Sequence, residues 1–425
     1  MSMAEQAARA REASFRLASV PGELKNQALE AIARRLEERT GEVLSENARD
    51  LEEARRAGLP QALQKRLALT EEKMGQMAAS LREVGRLEDP VGRTLLAREL
   101  DEGLVLTKVS VPIGVVGIIF EARPEALVQI SSLCVKSGNA AILKGGSEAA
   151  GSNRILFELI RGSLEGTDKV FKDSLHLAET RADIAEMLKL EGLIDLVIPR
   201  GSSRLVKTIL ENTKIPVLGH AEGICALYVD READIPMAVE LAWDAKCQYP
   251  AVCNAIETLL VHREIAPAFL PRLRERLKEV ELRGDEATRR IISAREATEA
   301  DWGSEFGDLI LAVRVVEDLE RAVEHINTHG SHHTDAIVTR SREAAERFMK
   351  GVDSASVMWN CSTRFADGFR YGFGAEVGIA TGKIHARGPV GLEGLTSYKY
   401  RLAGRGQTVA EYAAGRRRFT HRNLA

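Results

Sequence analysis

The chain has 425 residues, of which 44% are hydrophobic and 28% charged, and its formal net charge is -3. This length exceeds the usual limit of a single hydrophobic core, so two or three structural units are expected. The charge balance argues against general binding to nucleic acid or to a membrane surface. No apolar run approaches the roughly 18 residues that span a bilayer.

Five cysteines, an odd number in a long chain, favour free thiols in a reducing cytoplasm over a disulfide framework. The N-terminus has no continuous apolar core of the kind found in signal peptides. A cytoplasmic protein is therefore expected. The dense basic segment GRRRFTH at 415–421 is interpreted as a solvated end or a subunit contact.

Within the first 210 residues, the spacing of apolar residues changes from that of helices to that of strands alternating with helices. Residues 3–90 have apolar side chains three and four positions apart, which predicts amphipathic helices. The segment 96–111 alternates like a β-hairpin. A short β-branched run at 111–120 predicts a strand, which a helix follows. The segments 139–149 and 194–210 each predict a strand, a tight turn and the start of a helix.

A second series of strands and helices begins near residue 223. A charged helical region is predicted at 264–300. Apolar strands that alternate with helices indicate parallel sheets covered on both faces. The sequence therefore predicts an α/β fold of two such units with a cleft between them. Further strands are predicted at 224–229, 256–261, 308–316, 331–339 and 354–360, and helices at 233–246 and 342–351.

Small and basic residues follow two of the predicted strands, as KGGS at 144–147 and RGSS at 200–203. Ligands of parallel sheets bind beyond the carboxyl ends of the strands, near helix N-termini. Neither segment has the spacing of the dinucleotide fingerprint or of the P-loop. Each alone is as compatible with a capped turn as with phosphate binding, but several such units together favour a nucleotide site.

The segment CQYPAVCNA at 247–255 contains two of the five cysteines. Cys253 follows a helix-breaking proline, Pro250, and precedes a strand, so it is placed in a loop at the edge of the cleft. Thiolates are strong nucleophiles and good leaving groups in acyl transfer. On the residues alone, Cys253 is either a nucleophile or a buried thiol, and His220 is the nearest candidate base. Core positions are predicted for Cys134, Cys225 and Cys361.

Three histidines, His329, His332 and His333, cluster in HGSHH. They lack the spacing of metal ligands on one helix. A polar loop or a substrate contact is favoured over a metal site, and no metal is predicted.

Four segments carry a family resemblance: PIGVVGIIFEARPEAL, GNAAILKGGSEA, QYPAVCNAIETLLV and GFGAEVGIATGKIHARGPVGLEGLTSYKY. Together they resemble the γ-glutamyl phosphate reductases of the aldehyde dehydrogenase superfamily, and the likeness spans essentially the whole chain. It implies an aldehyde dehydrogenase-like fold with two parallel-sheet α/β domains. The implied cofactor-binding domain is 1–95 and 112–222, the catalytic domain 223–395, and the oligomerisation arm of a homo-oligomer 96–111 and 396–425.

The resemblance implies NADPH-dependent reduction of L-glutamyl 5-phosphate to L-glutamate 5-semialdehyde and phosphate in proline biosynthesis. Cys253 would attack the acyl phosphate and form a thioester, which hydride then reduces. A glutamate kinase that supplies the labile substrate is an implied partner. The alternatives are an acylating aldehyde dehydrogenase that uses coenzyme A and a catalytically lapsed binding protein of the same fold.

The resemblance also assigns the cofactor contacts. Lys144 matches the lysine that binds the adenosine ribose. Ser147 stands where many NAD-using relatives have a glutamate, which favours NADP on electrostatic grounds. Gly201 and Ser202 match the glycine–serine turn facing the pyrophosphate and nicotinamide, and Glu305 resembles the glutamate that holds the nicotinamide ribose.

Two positions depart from the oxidising relatives. The glutamate that activates water there aligns with His220, and the oxyanion-binding asparagine aligns near Ala122. A reductase of an acyl phosphate has no need of that water. The backbone N–H of Cys253 and the residue Asn254 are the remaining oxyanion candidates. For substrate binding, arginines suit carboxylates and phosphates, although any one of them is equally consistent with a surface loop. The candidates are Arg123, His220, Arg364, Asp367, Arg370, His385 and Arg387.

Overall fold

The computed structural model describes residues 1–121, 123–220 and 222–424. The helices are α1 (Met3–Leu17), α2 (Gly22–Glu38), α3 (Thr40–Arg56), α4 (Gln61–Leu67), α5 (Glu71–Arg86), α6 (Pro124–Lys136), α7 (Ala150–Thr167), α8 (Arg181–Met187), α9 (Ser203–Asn212), α10 (Ile235–Cys247), α11 (Ala266–Arg276), α12 (Glu286–Ile291), α13 (Leu319–His329), α14 (Arg342–Gly351) and α15 (Val409–Ala413). The strands are β1 (Thr94–Asp101), β2 (Leu104–Pro112), β3 (Val115–Phe120), β4 (Ala140–Lys144), β5 (Leu175–Leu177), β6 (Leu196–Arg200), β7 (Cys225–Val229), β8 (Ile256–His262), β9 (Glu281–Gly284), β10 (Arg295–Glu296), β11 (Ile310–Val316), β12 (Thr334–Val338), β13 (Ser356–Trp359), β14 (Ile379–Ala380), β15 (Gly388–Pro389), β16 (Thr396–Ala403) and β17 (Arg422–Asn423).

The first unit is a parallel sheet in the order β5-β4-β3-β6, covered by helices. Every residue of β3 and of β4 is buried, which explains their continuous apolar runs. The N-terminal helices α1–α5 confirm the predicted helical segment. Their buried residues recur with the helical period, as Ala28, Leu29, Ile32 and Leu36 do on α2.

The second unit is a parallel sheet in the order β10-β9-β11-β8-β7-β12-β13. The prediction of a helical region at 264–300 is wrong in part, because β9 and β10 interrupt it. In β9 the buried Leu282 and Gly284 alternate with the half-buried Glu281 and Arg283. Such a short strand at the charged side of a sheet shows too few apolar residues for its period of two to be visible.

The segment after β13 returns to the first unit. Ala375, Val377, Ala380, Val390 and Leu395 belong to the core that surrounds the first sheet. The predicted catalytic domain, 223–395, includes this segment, so the packing differs from the predicted boundary at its C-terminal end. A glycine-rich stretch with few apolar residues gives no sequence signal of which core it joins.

The hairpin β1–β2 joins the C-terminal strands in an antiparallel sheet of order β16-β2-β1-β17. The basic segment 415–421 lies against this sheet. Arg417 Nε is 2.8 Å from Asp101 Oδ2, and the ring of Phe419 stacks on that of Tyr412 at 4.3 Å. The hairpin and the tail are therefore one structural element, as the arm assignment requires. In the described part of the chain, no helix has the length and apolar character needed to cross a membrane.

Candidate active site

Cys253 lies in a tight turn between α10 and β8. The helix ends at Cys247, shortly before Pro250, because proline disfavours helical backbone in the residue that precedes it. A buried ion pair closes the base of the turn: Lys246 Nζ lies 2.5 Å from Glu257 Oε2, with side chains 0% and 1% exposed. Cys253 thus sits on a loop whose two ends are tied together.

A cavity of about 750 Å³ lies between the two units, and Cys253 faces it. Its walls come from the ends of β3 and β6, from the Cys253 turn, and from the segments around residues 305 and 370. The cavity confirms the cleft expected where the two sheets meet. It brings together the following predicted residues: Arg123, Gly201, Ser202, His220, Cys253, Asn254, Glu305, Arg364, Asp367 and Arg370. Ala122 lies outside the described residues.

Two histidines stand beside the Cys253 thiol. Its Sγ and one ring nitrogen each of His220 and His333 all lie within 4.8 Å of one another. The rings of His220 and His333 meet edge to face, with centroids 4.9 Å apart. His333 lies in the bend before β12 and is buried, so the loop that holds it is interior and not a solvated polar loop. The apolar run that follows His333 was the available signal that its neighbourhood is interior.

The tautomer of His220 follows from its hydrogen bond. Its Nδ1 lies 2.9 Å from the carbonyl oxygen of Ile379. A carbonyl can only accept, so Nδ1 carries the hydrogen and Nε2 of the neutral ring holds a lone pair. Burial lowers the pKa of His220, which keeps the ring neutral near pH 7. His220 is therefore a proton acceptor close to the nucleophile, with one ring nitrogen within 4.8 Å of the Cys253 sulfur.

The Cys253 thiol is held in its protonated form. Burial, with added repulsion from the carboxylates of Glu376 and Glu305, raises the pKa of Cys253 to about 12, and Arg200 opposes that rise. Because the thiolate is the nucleophile, attack on a substrate requires that the proton move to a base. The neutral His220 ring is placed to accept it.

The aldehyde dehydrogenase family model matches residues 2–299. The chain belongs to the aldehyde dehydrogenase family. A γ-glutamyl phosphate reductase of Pelotomaculum thermopropionicum is 56% identical over 426 residues, covering 100% of this chain and 98% of its relative. One from Acetivibrio thermocellus is 55% identical over 428 residues, covering 100% and 99%. Within the aldehyde dehydrogenase family, the chain therefore belongs to the γ-glutamyl phosphate reductases.

Solved structures agree with that membership. The crystal structure of γ-glutamyl phosphate reductase from Thermotoga maritima superposes with a TM-score of 0.93 at 40% identity, covering 96% of this chain and 100% of that one. An acetylating aldehyde dehydrogenase from Geobacillus thermoglucosidasius has a TM-score of 0.66 at 17% identity, with coverage of 96% and 97%. The second comparison shows the aldehyde dehydrogenase fold alone.

Proteins of the aldehyde dehydrogenase family bind NAD(P), and the α9 N-terminus offers donors for such a ligand. The Ser202 backbone N–H donates to Glu121 Oε2 at 3.0 Å, and Ser202 Oγ to Glu121 Oε1 at 3.2 Å. A Cβ added to Gly201 would lie 2.6 Å from the Glu121 carboxyl carbon. A carboxylate thus already sits where helix N-termini hold anions. These residues fit a pyrophosphate, provided that Glu121 moves aside.

Lys144 and Ser147 lie at the end of β4, apart from the cavity that holds Cys253. Lys144 is buried, and its Nζ donates to the carbonyl oxygen of Gly145 at 2.5 Å. Ser147 is exposed, but the Glu148 carboxylate next to it reaches back: a Cβ on Gly146 would meet Glu148 Oε1 at 2.1 Å. Burial lowers the pKa of Lys144, and Glu148 opposes that shift. The Glu148 carboxylate therefore places a negative charge one residue after Ser147, the position whose lack of a carboxylate favours NADP.

Two arginines from the segment after β13, Arg364 and Arg370, line the cavity that Cys253 faces. Arg364 is buried, and its Nε donates to Gln248 Oε1 at 3.1 Å. Arg370 NH1 donates to the Arg364 carbonyl at 2.8 Å and lies 3.7 Å from Asp367 Oδ2. The predicted arginines are thus held by polar contacts while their charges face the cavity.

Among the charged residues of the cavity, Glu121 and Glu376 were not predicted as site residues, and Arg200 was predicted only as part of the turn at 200–203. Arg200 NH1 donates to the Glu376 carbonyl oxygen at 3.3 Å. Burial lowers the pKa of Arg200 and raises that of Glu376. Arg200 ends a predicted strand, where ligand contacts are common. Glu376 lies in a glycine-rich loop that is far from Arg200 in the sequence, and the residues around Glu376 do not predict a contact with an arginine.

Three predicted contacts have other partners in the structure. Asn254 Nδ2 donates to the Ala366 carbonyl at 2.9 Å, so this donor group is engaged away from an oxyanion. His385 and Arg387 do not line the Cys253 cavity but a second one of about 660 Å³. Arg387 NH1 pairs with Asp353 Oδ1 at 2.9 Å, and His385 Nε2 lies 2.9 Å from the Gly394 carbonyl. The structure therefore does not bring His385 and Arg387 to the nucleophile.

Proposed function

We propose that the protein reduces L-glutamyl 5-phosphate with NADPH to L-glutamate 5-semialdehyde and phosphate, in proline biosynthesis. The observation that carries this proposal is the Cys253 thiol in an inter-unit cavity lined by arginines and a neutral imidazole. The full-length likeness to γ-glutamyl phosphate reductases supports it.

The first step acylates the enzyme. The Cys253 thiol gives its proton to Nε2 of His220, and the thiolate attacks the acyl carbon. A carbon–sulfur bond forms, the carbon–oxygen bond to phosphate breaks, and phosphate leaves with the electron pair and takes a proton from solvent. Arg200 and Arg364 both line the cavity that Cys253 faces, so these two arginines are assigned to the departing phosphate.

The second step returns the aldehyde. NADPH, when bound, supplies the hydride that reduces the thioester. The resulting hemithioacetal alkoxide collapses, the carbon–sulfur bond breaks, and the thiolate takes its proton back from His220. The backbone N–H of Cys253 is assigned to the oxyanion of both tetrahedral states. His220 holds the thiol proton while the thioester exists, so it cannot take a proton from water, and the thioester is left to the hydride.

The cofactor and substrate contacts are assigned by position. Gly201 and Ser202 at the α9 N-terminus take the pyrophosphate, and Glu305 takes the nicotinamide ribose. Lys144 and the hydroxyl of Ser147 take the adenosine ribose and its 2′-phosphate. For the substrate, Asp367 is assigned to the ammonium, and Arg123 and Arg370 are assigned to the α-carboxylate.

The assembly and setting belong to the same proposal. The outer strand β16 exposes Tyr400 and Leu402, which are 59% and 58% exposed on one side of the arm, as a subunit contact of a homo-oligomer would require. All five cysteines are free, in keeping with the reducing cytoplasm. A glutamate kinase is proposed as the donor of the labile acyl phosphate.

The test runs the reaction backwards. Glutamate semialdehyde and NADP are supplied with phosphate, arsenate or coenzyme A, and the formation of NADPH is followed by absorbance. We expect a rate that depends on phosphate or arsenate. No reaction would refute the proposal, and an equal rate when coenzyme A replaces phosphate would favour the acylating alternative.

A further inference from the structure

The side chains of Cys253, His220 and His333 form a compact group of sulfur and nitrogen atoms, called here the Cys–His–His group. All three ligand atoms lie within 4.8 Å of one another. His333 is 1% exposed, and its Nε2 has no hydrogen-bond partner among the residues that the structure describes. Buried polar atoms nearly always have a partner in folded proteins, so this nitrogen calls for one.

The hydrogen bonds of the two imidazoles suit a metal. The Nδ1–H of His220 donates to the Ile379 carbonyl, which leaves Nε2 with its lone pair. A backbone carbonyl on the far nitrogen is the usual outer support of a metal-binding histidine. In His333, Nδ1 lies 2.9 Å from the hydroxyl of Thr334, and the unpartnered nitrogen is Nε2. Each ring therefore has one nitrogen held by the protein and one available to an ion.

We propose that the Cys–His–His group binds one thiophilic divalent cation, for which zinc is the reference ion, and that the bound ion blocks the nucleophile. On binding, the Cys253 thiol loses its proton to solvent, and the sulfur and one nitrogen of each histidine donate electron pairs to zinc. No atom changes oxidation state. A cavity water or a phosphate oxygen supplies the fourth ligand.

The three ligand atoms must move closer together to bind one ion. Zinc–sulfur bonds of about 2.3 Å and zinc–nitrogen bonds of about 2.0–2.1 Å put tetrahedral ligand atoms roughly 3.3–3.6 Å apart. Starting from separations within 4.8 Å, the ligand atoms must approach one another by up to about 1.5 Å. Cys253 lines the cavity. Sulfur with two imidazoles selects zinc over magnesium or calcium, which prefer oxygen ligands.

Binding and inhibition are separable. The ion site stands on the three side chains alone, whereas its inhibitory effect rests on the proposed function, in which Cys253 is the nucleophile. The proposed reaction gives His333 no role. A variant of His333 is therefore expected to lose the cation, and the reductase activity that it retains is expected to be insensitive to zinc.

The experiment titrates the full chain, freed of metal, with zinc against a chromophoric chelator and repeats the titration with cobalt. We expect one zinc per chain and a cobalt spectrum with a thiolate charge-transfer band. His333→Gln should weaken zinc binding about 100-fold and protect activity from zinc. His333→Cys, which offers a thiolate instead, should restore binding. The matched control is His332→Asn, whose native ring contacts the Asp353 carbonyl instead of the group, and its affinity should not change.

Several outcomes would overturn the proposal. These are no zinc uptake by the unaltered chain, unchanged affinity in His333→Gln, or a cobalt spectrum that survives Cys253→Ser. Circular dichroism identifies a variant that fails to fold; if His333→Gln does, His333→Cys and the cobalt spectrum of Cys253→Ser decide. Zinc binding with the expected dependence on His333, in a protein without reductase activity, would refute the proposed function but not the site.

Discussion

The buried Lys246–Glu257 pair offers a direct test of how the Cys253 turn is held. Lys246 lies in the last turn of α10, before the Cys253 turn, and Glu257 lies on the strand after it. The second carboxylate oxygen of Glu257 accepts the Gly307 N–H at 3.1 Å. Because Gly307 follows Glu305 closely, one ion pair positions both the nucleophile turn and a cavity wall.

The perturbation is Lys246→Met, which keeps the length of the side chain and removes its charge. Breaking a fully buried pair by deleting one partner leaves an uncompensated charge and costs about 3–5 kcal/mol. We expect a loss of that size in the free energy of unfolding. All three tryptophans, Trp243, Trp302 and Trp359, belong to the second unit, so urea unfolding followed by their fluorescence reports on the unit that holds the pair.

The stability of Lys246→Met is expected to change with pH in a definite direction. Burial already raises the pKa of Glu257 to about 7, although Lys246 opposes that rise. Without Lys246 the pKa rises further, while the unfolded carboxyl keeps its ordinary value. Between these two pKa values the folded variant holds a proton that the unfolded chain does not. The stability of Lys246→Met should therefore fall as pH increases from about 5 to above 7.

The control is the double variant Lys246→Met/Glu257→Gln. The amide oxygen introduced by Glu257→Gln can still accept the Gly307 N–H, and neither side chain of the pair is then charged. It should recover most of the lost stability and show little dependence on pH. A single variant that loses less than about 1 kcal/mol, or a double variant no more stable than the single one, would refute the account of the pair as a buried, coupled ion pair.

Two further predictions concern the thiols and the cofactor. Cys253→Ser should abolish reductase activity. Cys247→Ser should retain most of it, because Cys247 packs against the second core away from the cavity. Comparable losses in steady-state assays would show that the nucleophile is misassigned. Ser147→Glu should raise the Kd for NADPH about tenfold more than that for NADH, since an added carboxylate repels the 2′-phosphate. The matched variant Glu148→Gln should shift the preference toward NADPH, and fluorescence titrations that show no change in either would remove the role given to this turn.

The sequence predicts local features of this protein better than distant juxtapositions. A helix that ends before Pro250 and a strand that starts at Ile256 place Cys253 in a loop from local signals alone. The contact between His220 and His333 depends instead on how the two units meet. No period or spacing in the sequence encodes that contact, so the sequence predicts only a polar loop or a substrate contact for His333. The same holds for Glu376, whose partner Arg200 lies far away in the chain.

The identity of residue 220 bears on the nucleophile as well as on water. Two carboxylates already act to raise the pKa of Cys253, which burial alone raises strongly. A third carboxylate at position 220 would raise it again, since like charges disfavour ionisation. A neutral imidazole does not add that repulsion. It becomes positive only when it takes the thiol proton, and then it stabilises the thiolate it has created. While His220 holds that proton it cannot accept one from water, so the imidazole supplies a base for sulfur without leaving a free base for water at the thioester stage.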